Sequence, residues 1–399
     1  MKTREVKLGE VANVKGGKRI PKGIGLINIP NGHPYIRVRD LNNKRVLELD
    51  NSYEYVDNET QKVISKYTVK TGDVVLSIVG TIGLVAIVGR TLDGANLTEN
   101  CVKLSSFHGM NRDFLYYYLR SDCGQQEIRC GTVGAVQAKL PIKNIQNIAI
   151  NLPDYTTQER IASLLLSIDR KIELNQKIND NLEQQAVTYF QELYINNANP
   201  MWQIGTISDL GTVVGGSTPS KTKPEYYTNN GIAWITPKDL SINKSKFISH
   251  GENDITELGL KNSSATVMPK GTVLFSSRAP IGYIAIASNE VTTNQGFKSV
   301  VPYLEIGTAF VYFFLKHSLP VIESAASGST FKEISGSAMK NIPAIIPDRS
   351  TLDQFNSFCA PIFAQQKILE DQNYSLAMLR DSLLPKLMSG AIDIASIQL

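Results

Sequence analysis

Two stretches of the 399-residue chain carry the residue types for chemistry on nucleic acid. Asn151-Leu152-Pro153-Asp154-Tyr155 approaches the Asn/Asp-Pro-Pro-Tyr loop with which a DNA methyltransferase holds a flipped base. Pro153-Asp154 followed by Asp169-Arg170-Lys171 imitates the metal-binding Asp…Asp-x-Lys pair of a nuclease. Neither pattern holds. The first lacks its second proline, and Gly23-Ile24-Gly25 lies in a Pro-rich loop rather than in the strand-to-helix turn a cofactor needs. In the second, Asp169 and Lys171 fall inside an amphipathic pattern, where charges usually face water. The later Pro347-Asp348 has no Asp/Glu-x-Lys behind it. Nucleotide-phosphate loops and Gly-x-Ser-x-Gly elbows are missing. The four histidines (His33, His108, His250, His317) and four cysteines (Cys101, Cys123, Cys130, Cys359) show neither ligand spacing nor a CxxC pair. No metal site or disulfide framework is expected, and a reduced, cytoplasmic setting is. The apolar runs are too short and interrupted for a membrane span, and residues 1–7 lack the apolar core of a signal peptide. These residues predict a binding protein, not a catalyst.

The elements that would position such residues come in two copies. Leu8-Gly9-Glu10-Val11 is echoed by Ile207-Ser208-Asp209-Leu210, Gly16-Gly17 by Gly215-Gly216, and Ile36-Arg37-Val38-Arg39-Asp40-Leu41 by Ile235-Thr236-Pro237-Lys238-Asp239-Leu240. Gly72-Asp73-Val74-Val75-Leu76-Ser77 matches Gly271-Thr272-Val273-Leu274-Phe275-Ser276, and Leu152-Pro153-Asp154 matches Ile346-Pro347-Asp348. The separation stays between 194 and 199 residues, so one unit has been duplicated. Residues 1–150 and 201–345 carry short β-rich runs between glycine turns, with one aromatic helix each, at 112–120 and 309–316. From 157 to about 195 Gly and Pro are absent, and apolar residues recur at helical spacing. In the second copy Phe355, Ile362, Leu369, Leu376 and Leu383 fall every seven residues, with Pro361 expected to kink that helix or mark its start and Gly390 to stop it. A helix with a single apolar stripe must pack. The fold class expected is α+β: two similar mixed α/β domains (1–152 and 201–346) separated by two long antiparallel helices (153–200 and 347–399) forming a coiled-coil spacer. Charge alternates with this division. Residues 1–150 hold 21 Lys and Arg against 14 Asp and Glu, and 201–345 hold 12 against 10. Residues 151–200 hold 4 against 7, and 346–399 hold 4 against 6. A polyanion would favour the first two blocks.

In order along the chain, Gly215-Gly216-Ser217-Thr218-Pro219-Ser220, Trp234-Ile235-Thr236-Pro237-Lys238-Asp239-Leu240, Phe275-Ser276-Ser277-Arg278-Ala279-Pro280-Ile281-Gly282-Tyr283, Asn294-Gln295-Gly296-Phe297-Lys298 and Leu383-Leu384-Pro385-Lys386-Leu387-Met388-Ser389-Gly390 resemble the specificity subunits of type I restriction–modification systems. The first domain resembles them less closely. The resemblance implies a non-catalytic subunit whose two target-recognition domains each read one half of a bipartite, asymmetric site in double-stranded DNA. The helices would set the gap and dock two methyltransferase (modification) subunits, and restriction/translocase subunits would join them. S-adenosylmethionine, ATP and Mg would bind those partners rather than this chain. A methylation-only complex and a two-headed protein-interaction scaffold are the alternatives.

Under that reading the candidate DNA contacts are Lys18, Arg19, Arg37, Arg39, Lys221, Lys223, Lys238, Arg278, Gln295 and Lys298. Arg and Gln suit bidentate contacts to guanine and adenine, and Lys suits phosphate. The competing reading is that most of them are solvated surface groups, with Arg278 paired to a neighbouring carbonyl or acid. The aromatic clusters around Tyr117 and Phe313 read as packing rather than base stacking. The helix–helix interface is expected at Ile161, Leu165, Ile168, Ile172, Ile178, Leu182, Phe355, Ile362, Leu369, Leu376 and Leu383. Asn175, Gln366 and Asn373 on the same seam are either wet polar positions or buried amides that fix register.

Overall fold

The computed structural model describes residues 3–41, 44–328 and 332–394. It divides into unit 1, Met1–Lys171 with Ser375–Leu399, and unit 2, Ile172–Tyr374. Each unit contains one mixed α/β globule and part of both long helices.

In unit 1 the apolar runs form the middle of a five-stranded sheet ordered Asn13–Gly16, Cys101–Ser105, Val74–Ser77, Val85–Val88, Val46–Leu47. Only the last pair is parallel. Val74–Ser77 and Val85–Val88 are buried at every position because successive side chains point to opposite faces and both faces are covered. Val74, Leu76, Val85 and Ile87 join the core of the aromatic helix Arg112–Arg120. Val75, Ala86 and Val88 pack instead with Ile36 and Leu97 of a small mixed sheet, Glu54–Tyr55, Pro34–Ile36, Asn96–Leu97. Unit 2 repeats the five-strand order as Gly211–Gly215, Lys298–Pro302, Val273–Ser277, Ile281–Ala287, Phe247–Ile248, again with the last pair alone parallel. Its aromatic helix is Thr308–His317, with Phe310, Tyr312, Phe313 and Phe314 buried. The turns between the two middle strands are tied identically. The Ser77 hydroxyl donates to Thr81 O (2.6 Å) and accepts from Leu84 N (2.9 Å), and that of Ser276 donates to Pro280 O (2.8 Å) and accepts from Tyr283 N (2.7 Å). In each unit the first and last strands form an antiparallel ribbon, Thr3–Lys7 with Ala149–Pro153 and Gln203–Thr206 with Pro343–Ile346.

The ribbons lead into the helices Tyr155–Phe190 and Arg349–Met388. Asp154 Oδ1 accepts from Thr157 N and Asp348 Oδ1 from Thr351 N, both at 2.9 Å. The motif that approaches a methyltransferase loop is therefore an N-terminal helix cap. Pro361 does not mark the start of the distal helix, which begins at Arg349 and continues through it. Pro361 and Ser357 are exposed, so the Ser357 carbonyl that loses its N–H partner faces water. Gly390 follows the end of the helix at φ 74°, the left-handed geometry of a helix stop.

Within each unit the two helices run antiparallel. In unit 1 Arg380 pairs with Asp169 at 2.8 Å, while Ile161 and Leu165 share a core with Leu387 and Met388. In unit 2 Asn175 Nδ2 donates to Asn373 Oδ1 (2.9 Å) and Gln366 Nε2 to Asn179 O (3.1 Å). Ile161, Leu165, Ile168, Phe355, Ile362 and Leu369 are buried; Ile172, Leu182, Leu376 and Leu383 are half-buried. Ile178 departs from the expected interface and is 37% exposed. The inward positions of that stretch are Asn175, Asn179 and Leu182, at spacings of four and three, which place Ile178 about 100° away from Asn179 on the helix. Two of the three amides are buried, Asn175 fully and Gln366 at 3% exposed, while Asn373 is half-buried.

Candidate nucleic-acid interface

In the first domain the loop after Asn13–Gly16 is pressed onto the backbone at 97–98. A Cβ on Gly17 would lie 2.1 Å from Thr98 O, so only glycine fits. Lys18 N donates to Leu97 O at 2.8 Å, and the next residue, Arg19, projects into solvent with its Nε donating to Glu99 Oε1 at 2.5 Å. Burial pushes the Glu99 carboxyl up, but hydrogen bonds from Arg19, its own backbone and Thr98 outweigh it and hold the group below its usual range. Arg37 pairs with Glu54, as does Arg39 (Nη2 to Oε2, 2.6 Å). Behind them Asp40 accepts from Arg37 N at 2.7 Å, and burial pushes its carboxyl up to about 6 against the pull of Arg39. Arg19, Lys22, Tyr35, Arg37, Arg39 and Glu99 line one cleft of about 550 Å³. Lys18 is not part of its lining and sits 5.7 Å from the Tyr67 ring centre.

The second domain builds the same frame with other side chains. A Cβ on Gly216 would lie 1.9 Å from Asn294 O, and Ser217 N donates to Thr293 O at 2.8 Å. Thr218, at the position equivalent to Arg19, donates its hydroxyl to Gln295 Oε1, at the position equivalent to Glu99. Ser277 N donates to Gly296 O (2.7 Å), bringing Arg278 beside the loop of Gln295. Glu333 joins Arg278 (3.3 Å) to Lys298 (3.8 Å). Lys238 pairs with Glu252 at 2.5 Å, repeating the Arg39–Glu54 pair. Lys223 Nζ donates to Tyr226 OH at 3.1 Å, and Lys221 is exposed. Sequence reasoning missed the carboxylates Glu54, Glu99, Glu252 and Glu333. Their partners lie 14 to 80 residues away, beyond any local spacing.

It also missed Lys246, the one buried lysine among the described residues. Lys246 Nζ reaches Glu183 of the central helix and Gln366 Oε1 of the distal helix (2.6 Å), over the ring of Phe363 (4.2 Å). Lys246 N and Phe247 N donate to Glu370 at 2.8 and 3.1 Å. Glu183 also binds Lys316 at 2.6 Å. Burial pulls the Lys246 ammonium below its usual range. Burial pushes Glu183 up, but Lys246 and Lys316 outweigh it and leave the carboxyl low, while Glu370 is pushed up. No sequence signal marked it: Arg45 occupies the same place in the first domain, its carbonyl bound by Ile87 N as that of Lys246 is by Ile286 N, but the two lie 201 residues apart, outside the separation of the repeat.

Two like frames carrying different polar side chains invite comparison with known proteins. The profile of the type I restriction modification DNA specificity domain matches residues 2–184 and again 199–371. The chain belongs to this family. It is 43% identical over 162 residues to the type I restriction enzyme MjaIX specificity subunit of Methanocaldococcus jannaschii, covering 40% of this chain and 37% of that one. It is 23% identical over 341 residues to the HindI specificity subunit of Haemophilus influenzae, covering 67% and 73%. The crystal structure of a type I restriction–modification S subunit from M. genitalium shares the fold, with a TM-score of 0.57 at 16% identity and coverage of 97% and 99%. The two specificity domains coincide with the two sequence repeats. Among the described residues no group of three or more His, Cys, Asp or Glu side chains is placed to hold a metal ion, and no helix is long and apolar enough to cross a membrane.

Proposed function

We propose that the chain is the non-catalytic specificity subunit of a type I restriction–modification complex. Each domain reads one half of a bipartite, asymmetric site in double-stranded DNA, and the paired helices set the gap and dock two methyltransferase subunits. Restriction/translocase subunits complete the complex in the cytoplasm, and S-adenosylmethionine, ATP and Mg are bound by those partners. One observation carries the reading: the DNA specificity domain occurs twice, with one sheet order, one loop frame and one long helix per copy, while the side chains on the loops differ. A common frame with different polar tips suits two readers of two different sequences, because base edges are read by side chains while backbone contacts only position the protein.

The test is to purify the chain with its neighbouring gene products, ask whether a methyltransferase co-elutes, and map N6-methyladenine on plasmid DNA. A single bipartite motif is expected. Replacing residues 1–152 by the equivalent segment of another family member should change one half-site and leave the other half and the gap intact. Scattered methylation, or a change in both halves, would overturn the proposal.

A further inference from the structure

The two domains differ most informatively at one pair of side chains. Superposing the repeats through their hydrogen bonds (Thr98 N to Ile36 O and Asn294 N to Ile235 O, both 3.0 Å) puts Arg19 on Thr218 and Glu99 on Gln295. In both copies these two side chains bond to each other: Arg19 Nε to Glu99 Oε1, and Thr218 Oγ1 to Gln295 Oε1. In both copies the backbone beneath is fixed by a glycine with no room for a Cβ. Nothing in the fold demands these residue types. Arg19 is 76% exposed along its side chain and Gln295 is exposed, so neither fills a core. The pair is a constant socket with an exchangeable plug.

We infer that the pairs Arg19/Glu99 and Thr218/Gln295 are specificity-determining, each reading a base pair within the half-site of its own domain. This rests on the function proposed above. The chemistry differs in a defined way. Glu99 engages Nε of the exposed guanidinium and leaves its two Nη groups to serve as a donor fork matched to guanine O6 and N7. Thr218 anchors the Gln295 amide through its oxygen, leaving the NH₂ and the second oxygen lone pair for an adenine edge. A base-reading side chain held by a neighbour before DNA arrives loses less conformational entropy on binding than a free one.

The experiment uses the complex with its methyltransferase and a plasmid library randomised across each half-site. Grafting the second pair onto the first domain (Arg19→Thr with Glu99→Gln) should shift the preference at one or two base pairs of the first half-site, with the second half-site and the gap unchanged. An unchanged motif, or a change in both halves, overturns the inference. Should the graft abolish methylation, Arg19→Lys decides, because lysine keeps the phosphate-binding charge and loses the fork. Discrimination at one base pair of the first half-site should then fall by roughly 5- to 150-fold. Unchanged discrimination with Arg19→Lys would make Arg19 a phosphate contact, for which the charge alone suffices, and overturn the inference equally. Wild-type complex that yields no bipartite motif is a separate result, and it defeats the proposed function itself.

Discussion

Lys246→Met tests whether the second domain is locked onto its helices by a buried charge. The lysine is 6% exposed along its side chain, with Nζ on Glu183 and on Gln366 at 2.6 Å. Methionine retains much of the aliphatic stem between Tyr312, Phe313 and Phe363 and deletes only the ammonium. Removing one partner of a buried pair costs about 3–5 kcal/mol. Glu183 keeps Lys316 at 2.6 Å, so the low end applies and the expected loss is about 3 kcal/mol. Both tryptophans, Trp202 and Trp234, lie in unit 2, so their fluorescence reports the unfolding of that unit alone. With a urea slope of ~2 kcal/mol per molar, the midpoint should fall by about 1.5 M. The double variant Lys246→Met with Glu183→Gln should recover at least about 1 kcal/mol, because Glu183, left with only one of its two cations, is then no longer charged. A single variant within 0.5 M of wild type, or a double variant as unstable as the single, would refute the electrostatic reasoning.

Acid should act on the same network. Glu183 is held below its usual range, so its contribution is complete above the unfolded value near pH ~4.3 and is lost as pH falls through the lower folded value. Glu370 is shifted the other way and opposes this. In a Glu370→Gln background, acidification below pH ~5 should therefore lower the urea midpoint, and less so after Lys246→Met; equal pH profiles would count against the linkage. Asn175→Leu removes a buried amide whose Oδ1 has no hydrogen-bond partner, while Gln372 and Asn373 can turn to water. Unit 2 should hold its stability or gain up to about 1 kcal/mol by urea titration, and a loss beyond about 2 kcal/mol would contradict that account. Gly216→Ala forces a Cβ to 1.9 Å from Asn294 O and should lower the stability of unit 2 by more than about 2 kcal/mol, read as a urea midpoint lower by more than about 1 M. Gly25→Ala, with nothing within 4 Å, should leave the calorimetric melting profile within about 0.5 kcal/mol of wild type.

Much of the architecture could be read from residues alone because it is encoded locally. The absence of Gly and Pro from 157 to 195, the seven-residue spacing from Phe355 and the paired Gly-Gly, Gly-x-Val and Pro-Asp landmarks each report on their own neighbourhood. Ile178 escaped because counting apolar residues cannot show that two asparagines take the inward positions. Pro361 escaped because a helix tolerates proline where the freed carbonyl meets water. At the candidate interface the cations were visible and their partners were not. Arg19 meets Glu99 and Arg278 meets Glu333 only through the fold, and each pairing changes what the cation is free to do, while the buried Lys246 was missed together with its partner Glu183.

The two-stranded ribbons carry a consequence for inheritance. Thr3 lies opposite Pro153 and Gln203 opposite Ile346, so each globule begins and ends at one spot. A gene crossover at codons flanking either ribbon imports a whole foreign globule while its first and last strands remain each other's partners, and the capped helix that follows starts unaltered. Under the proposed function, one recombination event can thus exchange a half-site preference without passing through a misfolded intermediate.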